Sequence, residues 1–339
     1  MLESKIADSV VDHALSLGAD FAELFVDRNQ VNNIATLSDE VQSVQSGIDF
    51  GIGIRLVYGY KVLYGYTNKI DLDELRRIVS ELSAKDLRDP INQMLAFDYR
   101  KPEEYHPASD ILSLDACIDG KVAYLLAADK TARAASNMIS QTRGSCMQRE
   151  QSIEIFNSEG LHTDDKRNYI RTSLTAYASD GGEQATGSWN DGGLRGWEIR
   201  SDISAAETGS EAARQALVNL SAKACPSGRM PVILGNGFGG VIFHEACGHL
   251  LETTSVAKKA SVFHDQMGEM IANLVVSAVD DGTIANEWGS INIDDEGLET
   301  QNTQLIKDGK LTNFLSDRLG AQQTGYERTG SGRRQSYHF

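Results

Sequence analysis

Basic residues are scarce in this chain, and their scarcity excludes several classes of function. The 339 residues include 32 Lys and Arg against 48 Asp and Glu, a formal net charge of −16 at pH 7. Because phosphate backbones and anionic lipid surfaces are bound by basic surfaces, the composition argues against nucleic-acid and membrane-surface binding. The chain also lacks any run of 18 consecutive apolar residues, so we predict no membrane-spanning helix.

Cysteine is also scarce, and its distribution bears on the cellular compartment. The four cysteines are scattered and form no CxxC pair: Cys117, Cys146, Cys225 and Cys247. This pattern is typical of reduced thiols in a cytosolic protein rather than of a disulfide framework. The N-terminal stretch MLESKIADSVVDHALSLGAD carries acids and has no uninterrupted apolar core, so it does not resemble a signal peptide. We therefore expect a cytoplasmic protein.

The order of helical and strand patterns predicts an α+β fold with more than one domain. One unit contains an amphipathic helix, short strands and a second helix that Asp71 is predicted to cap; its strands are FAELFVD, NNIATL, GIGIRLVYG and KVLYGYTN, the last two joined by a hairpin at Gly59–Tyr60. A similar order follows, with a helix at about 110–135, strands around 137–148, 151–157 and 168–178, turns at NSEG and NDGG, and a helix at about 209–223. Three of the five prolines lie between these units, which indicates a linker. The predicted ranges are an N-terminal α+β domain at 1–86, a linker at 87–109, a second α+β domain at 110–226 and a C-terminal domain at 227–339. Helix-flanked antiparallel sheets are thus expected in the N-terminal part.

The C-terminal domain is predicted to be rich in β-strands and to contain a helix near its beginning. PVIL resembles a buried strand, GNGFGG a tight loop and VIFHEACGHLLE a helix. Further strands are predicted at VVSAVDDGT, SINIDDEG and TQLIKDGKLTNFL, with KDGK as a hairpin turn.

The predicted helix VIFHEACGHLLE contains the arrangement most typical of a catalytic metal site. His244 and Glu245 are adjacent, as in HExxH zinc peptidases, but the second histidine, His249, comes one residue late. In a regular α-helix, side chains five positions apart are offset by about 140° around the helix axis, whereas side chains four positions apart are offset by about 40°. One wide turn with an i to i+5 bond would return both imidazoles to the same face, and Gly248 would allow that distortion.

Two other interpretations of this region are open. The histidines could be satisfied side chains of a buried helix, although the adjacent Glu245 would then place a charge in an apolar segment. Alternatively, Gly235, Gly237 and Gly240 form a GxGxxG pattern between a predicted strand and helix, as in dinucleotide-binding proteins. The polar stretch after the helix lacks the second strand and acidic residue that this motif requires.

Several segments of the chain closely resemble the TldD/PmbA family, peptidases historically called modulators of DNA gyrase. They are LGNGFGGVIFHEACGHLLE, SVFHDQMGEMIANLVVSAVDDGT, INIDDEG, TGSGRRQSY and, near the N-terminus, GIGIRLVYGYKVLYGYTN. One subunit type in this family carries HExxxH and its sister lacks it, so this chain resembles the TldD-type subunit. The resemblance implies a zinc metallopeptidase in which His244 and His249 bind the metal and Glu245 activates water.

The resemblance also implies partners. It suggests assembly with a PmbA-type (TldE) sister subunit or as a homodimer, and unfolded peptides as substrates in a closed chamber. Such a peptide would bind as an added strand.

One feature departs from the family pattern. The family's third zinc ligand is a cysteine further downstream, and this sequence stops at Phe339 before that region, as a C-terminally truncated chain would. Cys247, Glu252 and His264 are local alternatives without family precedent. Arg333 and Arg334 match positions of the family pattern, but the sequence does not indicate what they do. A non-catalytic assembly or peptide-binding subunit is therefore the alternative function.

Overall fold

The computed structural model describes residues 2–106 and 118–339. The helices are α1 (Ser4–Ser16), α2 (Leu72–Ser83), α3 (Ile118–Ala135), α4 (Ala205–Leu220), α5 (Val241–Ala246), α6 (Thr253–Val256) and α7 (Arg318–Thr324). The strands are β1 (Phe21–Leu37), β2 (Glu40–Tyr58), β3 (Lys61–Thr67), β4 (Asp98–Tyr99), β5 (Ile139–Asn157), β6 (Leu161–Ser179), β7 (Gln184–Gly193), β8 (Ala278–Asp281), β9 (Asn302–Lys307) and β10 (Lys310–Leu311). The predicted α+β class is confirmed.

The strands of the two predicted helix–strands–helix units belong to one continuous sheet. The strands run β3-β2-β1-β5-β6, and the outer edge of β6 pairs with β7 at one end and with the short β4 at the other. Its centre is the antiparallel pairing of β1 with β5, from Glu23 opposite Asn157 to Leu37 opposite Arg143. The predicted N-terminal and second domains therefore contribute to the same sheet, and the domain boundaries themselves stay predictions. The part of the predicted helix at 110–117 lies outside the described residues.

Several predicted strands are parts of longer ones. FAELFVD and NNIATL both belong to β1, and the candidates at 137–148 and 151–157 both belong to β5. The prediction divided them because polar residues such as Asp27 and Gln151 interrupt the apolar pattern. In the structure both side chains are buried among polar groups, and the Gln151 amide donates to the Asp27 carboxylate at 3.1 Å. NDGG, predicted as a turn, lies inside β7.

The predicted Gly59 hairpin and the predicted NSEG turn are confirmed. Tyr58 pairs with Lys61, and Gly59 between them has a φ of 61°, a conformation that glycine adopts without strain. The NSEG turn connects β5 to β6, with Gly160 at a φ of 84°.

Apolar clusters lie under the helices on one face of the sheet. Helices α1 and α2 cover buried residues of β1 and β2, including Leu24, Ile54 and Leu56. Helices α3 and α4 cover a second cluster around Leu174 and Ala176 of β6. At the N-terminus of α2, Asp71 caps the helix by accepting from the Glu74 N–H at 2.9 Å.

The opposite face of the sheet is covered by the C-terminal part of the chain. Ile293 and Tyr337 pack with Phe25, Ile153 and Ile155 in a separate buried cluster. A Cβ added at Gly51 would lie 2.1 Å from the Tyr337 ring, so the tail approaches β2 at a position where only glycine fits.

Buried ion pairs join this C-terminal part to the sheet. Arg167 of β6 donates to Asp165 at 3.1 Å and to Asp295 at 2.7 Å, and all three side chains are nearly inaccessible to solvent. Arg55 of β2 bridges Glu23 and Glu296 at 3.0 and 2.6 Å. Because buried charges are tolerated only when they are paired, these contacts fix the C-terminal residues at one position on the sheet.

The predicted C-terminal strands form only in part. The KDGK hairpin is confirmed, with Asp308 at a φ of 49° and Gly309 at 80° between β9 and β10. PVIL forms no strand and is exposed, with Ile233 98% accessible. SINIDDEG is buried but held by an isolated bridge between Ile293 and Glu299 and by its acidic side chains. Within the described residues, we find no helix long and apolar enough to span a bilayer.

Candidate metal centre

The predicted helix around the histidines is broken in the middle. Helix α5 ends at Ala246, Cys247 leaves helical geometry at φ −135° and ψ −51°, and a 3₁₀ turn occupies Gly248–Leu251. The Cys247 N–H still donates to the Phe243 carbonyl at 2.9 Å, and the Leu250 N–H donates to the Cys247 carbonyl at 3.0 Å. The prediction of a wide turn with an i to i+5 bond is therefore wrong, because the helix is interrupted instead. The backbone distortion lies at Cys247 rather than at Gly248.

This break brings His244, Glu245 and His249 together. Each offers a ligand atom, and these atoms lie within 4.8 Å of one another. The two imidazole rings are 4.4 Å apart between centroids and inclined at 70°. All three residues are exposed, so the alternative of satisfied histidines in a buried helix is not supported. Among residues 2–106 and 118–339, this is the one group of three or more His, Cys, Asp or Glu side chains with such geometry.

Glu252 contacts the three-residue group through His249. The His249 Nδ1 and Glu252 Oε1 atoms are 2.8 Å apart, across the 3₁₀ turn. This hydrogen bond, with the charge of Glu252, raises the pKa of His249. Metal-binding histidines commonly donate one ring N–H to a carboxylate, which fixes the tautomer and leaves the other nitrogen available to the metal. Glu252 is thus placed to orient His249, leaving its Nε2 available.

The other local ligand candidates lie elsewhere. Cys247 is half-buried and packs against the apolar cluster that contains Leu251 and Phe314, and burial raises the pKa of its thiol. His264 directs Nδ1 to the Ser261 carbonyl at 3.0 Å. Neither belongs to the three-residue cluster.

The donor set fits a metal ion held by two imidazoles, with the Glu245 carboxylate beside them. Because the group lies on an exposed turn, water and substrate have access to it. A helical pair of histidines without this break would point in different directions, so the observed backbone is the feature that allows the fit.

A cleft of about 340 Å³ adjoins His244. Its charged lining residues come from separate parts of the C-terminal region: Glu252, Asp280, Asp281, Glu287 and Arg333. Burial and the charge of Asp281 raise the pKa of Asp280. The sequence did not assign Asp280, Asp281 or Glu287 to the site, because they are distant from the histidines along the chain and VVSAVDDGT predicted only a strand.

The structure gives Arg333 and Arg334 different surroundings. Arg334 forms an ion pair with buried Glu23 and stacks over the Phe25 ring at 5.0 Å, so it anchors the tail to the sheet. Arg333 lines the cleft and is held through its Nε by Asp295 at 3.4 Å.

The glycine-rich segment has none of the surroundings that a dinucleotide site requires. The described residues directly before Gly235 form no strand, and a Cβ added at Gly235 or Gly240 would meet no atom within 4 Å. The glycines of a dinucleotide motif are needed for close approaches of helix, strand and pyrophosphate. The dinucleotide interpretation is therefore not supported by this geometry.

Comparison with known proteins gives consistent matches along the chain. Family models described as PmbA/TldA metallopeptidase domain 1, central domain and C-terminal domain match residues 22–85, 113–220 and 227–339. A metalloprotease TldD homolog from Haemophilus influenzae is 34% identical over 326 residues, which is 94% of this chain and 67% of the relative. A metalloprotease TldD homolog from Buchnera aphidicola (subsp. Acyrthosiphon pisum) is 32% identical over 85% of this chain and 61% of the relative. The chain thus spans about two thirds of the length of these relatives.

Solved structures share the fold. A Thermotoga maritima structure, solved as a candidate modulator of DNA gyrase, superposes with a TM-score of 0.79 at 19% identity and covers 99% of this chain and 76% of that one. TldE from Thermococcus kodakarensis superposes with a TM-score of 0.72 at 16% identity, over 97% of this chain and 74% of that one.

Proposed function

Because the chain belongs to the PmbA/TldD family of metallopeptidases, we propose that it is a zinc-dependent peptidase subunit that hydrolyses unfolded peptides. The observation that carries the proposal is the approach of the His244, Glu245 and His249 ligand atoms to within 4.8 Å of one another. His244 and His249 would hold the metal, which when bound supplies Lewis acidity toward a water and a peptide carbonyl.

The chain's own residues have separate roles in this proposal. Glu245 accepts a proton from the attacking water at its carboxylate and returns it to the departing amine, as a general base and then a general acid. Glu252 holds the Nδ1 proton of His249 and so keeps the ring in one orientation.

The cleft beside His244 is the proposed place for the peptide. Its walls come from the segments around Glu252, Asp281 and Arg333, and its volume of about 340 Å³ accommodates a short extended segment. An unfolded peptide can enter such a cleft as an added strand, with main-chain hydrogen bonds giving affinity without strict sequence preference. A TldE-type sister subunit or a second copy is the proposed partner in the assembly; one structural neighbour is a TldE protein.

Chelation tests the proposal. The assembled protein is incubated with an unfolded peptide, with and without 1,10-phenanthroline, and products are followed by mass spectrometry. We expect cleavage that the chelator abolishes and added zinc restores. Equal cleavage in both samples would contradict a metal-dependent reaction.

The non-catalytic alternative is favoured by one observation. In the described part of the chain, the cluster holds two imidazoles and no third protein ligand besides the carboxylate that the proposal reserves for proton transfer. A subunit of this kind would bind peptide without cleaving it. One tightly held zinc per chain would exclude this alternative, since two histidines alone hold the ion weakly.

A further inference from the structure

A recess of about 140 Å³ lies where β6 and β7 meet the C-terminal part of the chain. Its lining residues are Arg171 of β6, Asn190 and Gly192 of β7, and Trp288. The segment that carries Trp288 is attached to the end of β7, where the Leu194 N–H donates to the Asn286 carbonyl at 3.0 Å. This hydrogen bond holds the wall formed by Trp288 against the two strands.

Two arginines place positive charge at the recess and beside it. Arg149 of β5 lies opposite Tyr169, and its guanidinium stacks on that ring at 4.6 Å. Because Tyr169 and Arg171 are two residues apart on β6, all three side chains lie on one face of the sheet, with Arg149 diagonal to Arg171. Neither arginine forms an ion pair within residues 2–106 and 118–339. In a chain with a net charge of −16, two guanidinium groups without an acidic partner favour an external anion as their ligand.

The other groups of the recess suit a carboxylate. Trp288 packs edge-on against Tyr169 with 5.5 Å between ring centroids and forms an apolar wall. Arg171 can offer two parallel N–H donors to a carboxylate, and the Asn190 amide can donate another hydrogen bond. The volume is below the about 300–1,000 Å³ of a typical small-molecule site, so the recess accommodates one group of a larger ligand.

The recess adjoins the cleft beside His244. Glu287 and Gly289 line that cleft, and Trp288 between them lines the recess. The lining of the cleft carries four carboxylates against the single guanidinium of Arg333. An acidic residue of a peptide is therefore disfavoured inside the cleft and favoured in the recess next to it.

We propose that the recess binds a carboxylate of the peptide whose neighbouring segment lies in the cleft, and that Arg171 selects this carboxylate. The group belongs to an Asp or Glu side chain or to the C-terminus of the peptide. The inference rests on the proposed function, because it adds a second contact for a peptide in the cleft. It gives the subunit a preference for peptides with a negative charge outside the segment that the cleft holds.

Peptide binding measured without cleavage tests this subsite. All proteins carry Glu245→Gln, and binding is followed by the fluorescence anisotropy of labelled unfolded peptides of one length. One set has an amidated C-terminus and a single glutamate that moves along the sequence. A second peptide has glutamine instead and the amide, and a third has glutamine and a free C-terminal carboxylate. We expect a carboxylate in the right position to strengthen binding about tenfold over the uncharged peptide, and the set that shows this effect identifies its source.

Arg171→Gln should abolish the preference and bind all peptides alike. Arg143→Gln is the matched control, since it removes an exposed arginine from the same face of the sheet, four residues along β5 from the Met147 that pairs with Arg171. The control should keep the preference.

The two proposals fail in different ways. Equal binding of all peptides by the Glu245→Gln protein would overturn the subsite and leave the proposed function standing. A preference that survives Arg171→Gln would overturn the assignment to the recess. Failure of every peptide to bind would contradict the cleft as the peptide site, and the subsite with it.

Discussion

Replacement of Glu245 by glutamine is expected to abolish peptide cleavage while leaving metal binding intact. In the proposed mechanism the carboxylate transfers protons, and glutamine keeps its size but cannot accept a proton. General acid–base catalysis of this kind contributes on the order of 10²–10⁴ in rate, so kcat should fall by that factor with little change in KM. The measurement is steady-state cleavage of an unfolded peptide, paired with metal analysis of the same preparation.

The matched control for Glu245→Gln is Glu183→Gln, which alters an exposed acid on the turn between β6 and β7. The control should cleave at the parent rate. Undiminished turnover by Glu245→Gln would remove proton transfer from this residue. Simultaneous loss of metal and turnover would show instead that Glu245 is a ligand.

Replacement of Asp295 by alanine is expected to destabilise the protein strongly. The Asp295 side chain is 2% accessible, accepts from Arg167 at 2.7 Å and accepts from the Arg334 N–H at 2.7 Å. Burial alone would raise its pKa, but the guanidinium groups of Arg167 and Arg333 outweigh burial and hold the pKa of Asp295 below its usual range. Its removal leaves the Arg167 guanidinium buried beside a single carboxylate. Loss of one partner of a buried pair costs about 3–5 kcal/mol.

Thermal unfolding measures this effect. The unfolding midpoint of Asp295→Ala should fall on the order of 10 °C, whereas Glu81→Ala, which removes an exposed pair with Arg77, should shift it little. Because the folded pKa of Asp295 is depressed, its contribution exists above the unfolded pKa and disappears as the pH falls through the folded pKa. The difference between the parent and Asp295→Ala should therefore shrink in acid. A shift for Asp295→Ala no larger than that for Glu81→Ala would contradict the structural role assigned to the ion pairs.

Local signals in the sequence were sufficient for much of the fold. The α2 cap at Asp71, the Gly59 hairpin and the KDGK turn each depend on a few neighbouring residues, and all three form as predicted. The joining of β1 to β5 was not predicted because the two strands lie more than 100 residues apart and share no sequence repeat. PVIL was predicted as a strand from its apolar run, yet a strand also requires a neighbour, and none pairs with it in the described residues.

The candidate site was likewise only partly predictable from the sequence. Residue types and spacing identified His244, Glu245 and His249, and helix geometry showed that a backbone distortion was needed. The form of that distortion was not predictable, because a break at Cys247 and a wide turn satisfy the same requirement. The role of Glu252 follows from its hydrogen bond to His249, and the cleft is formed by residues that only the tertiary structure brings together.

Zinc affinity of the purified chain and of its site variants tests the central claim most directly. Competition with a chromogenic chelator should give one zinc per chain for the parent and no specific zinc for His244→Ala or His249→Ala. Glu252→Gln should bind about 10–100-fold more weakly, since it loses the carboxylate that orients His249. Equal zinc affinity in the parent and both histidine variants would contradict a metal centre at His244 and His249.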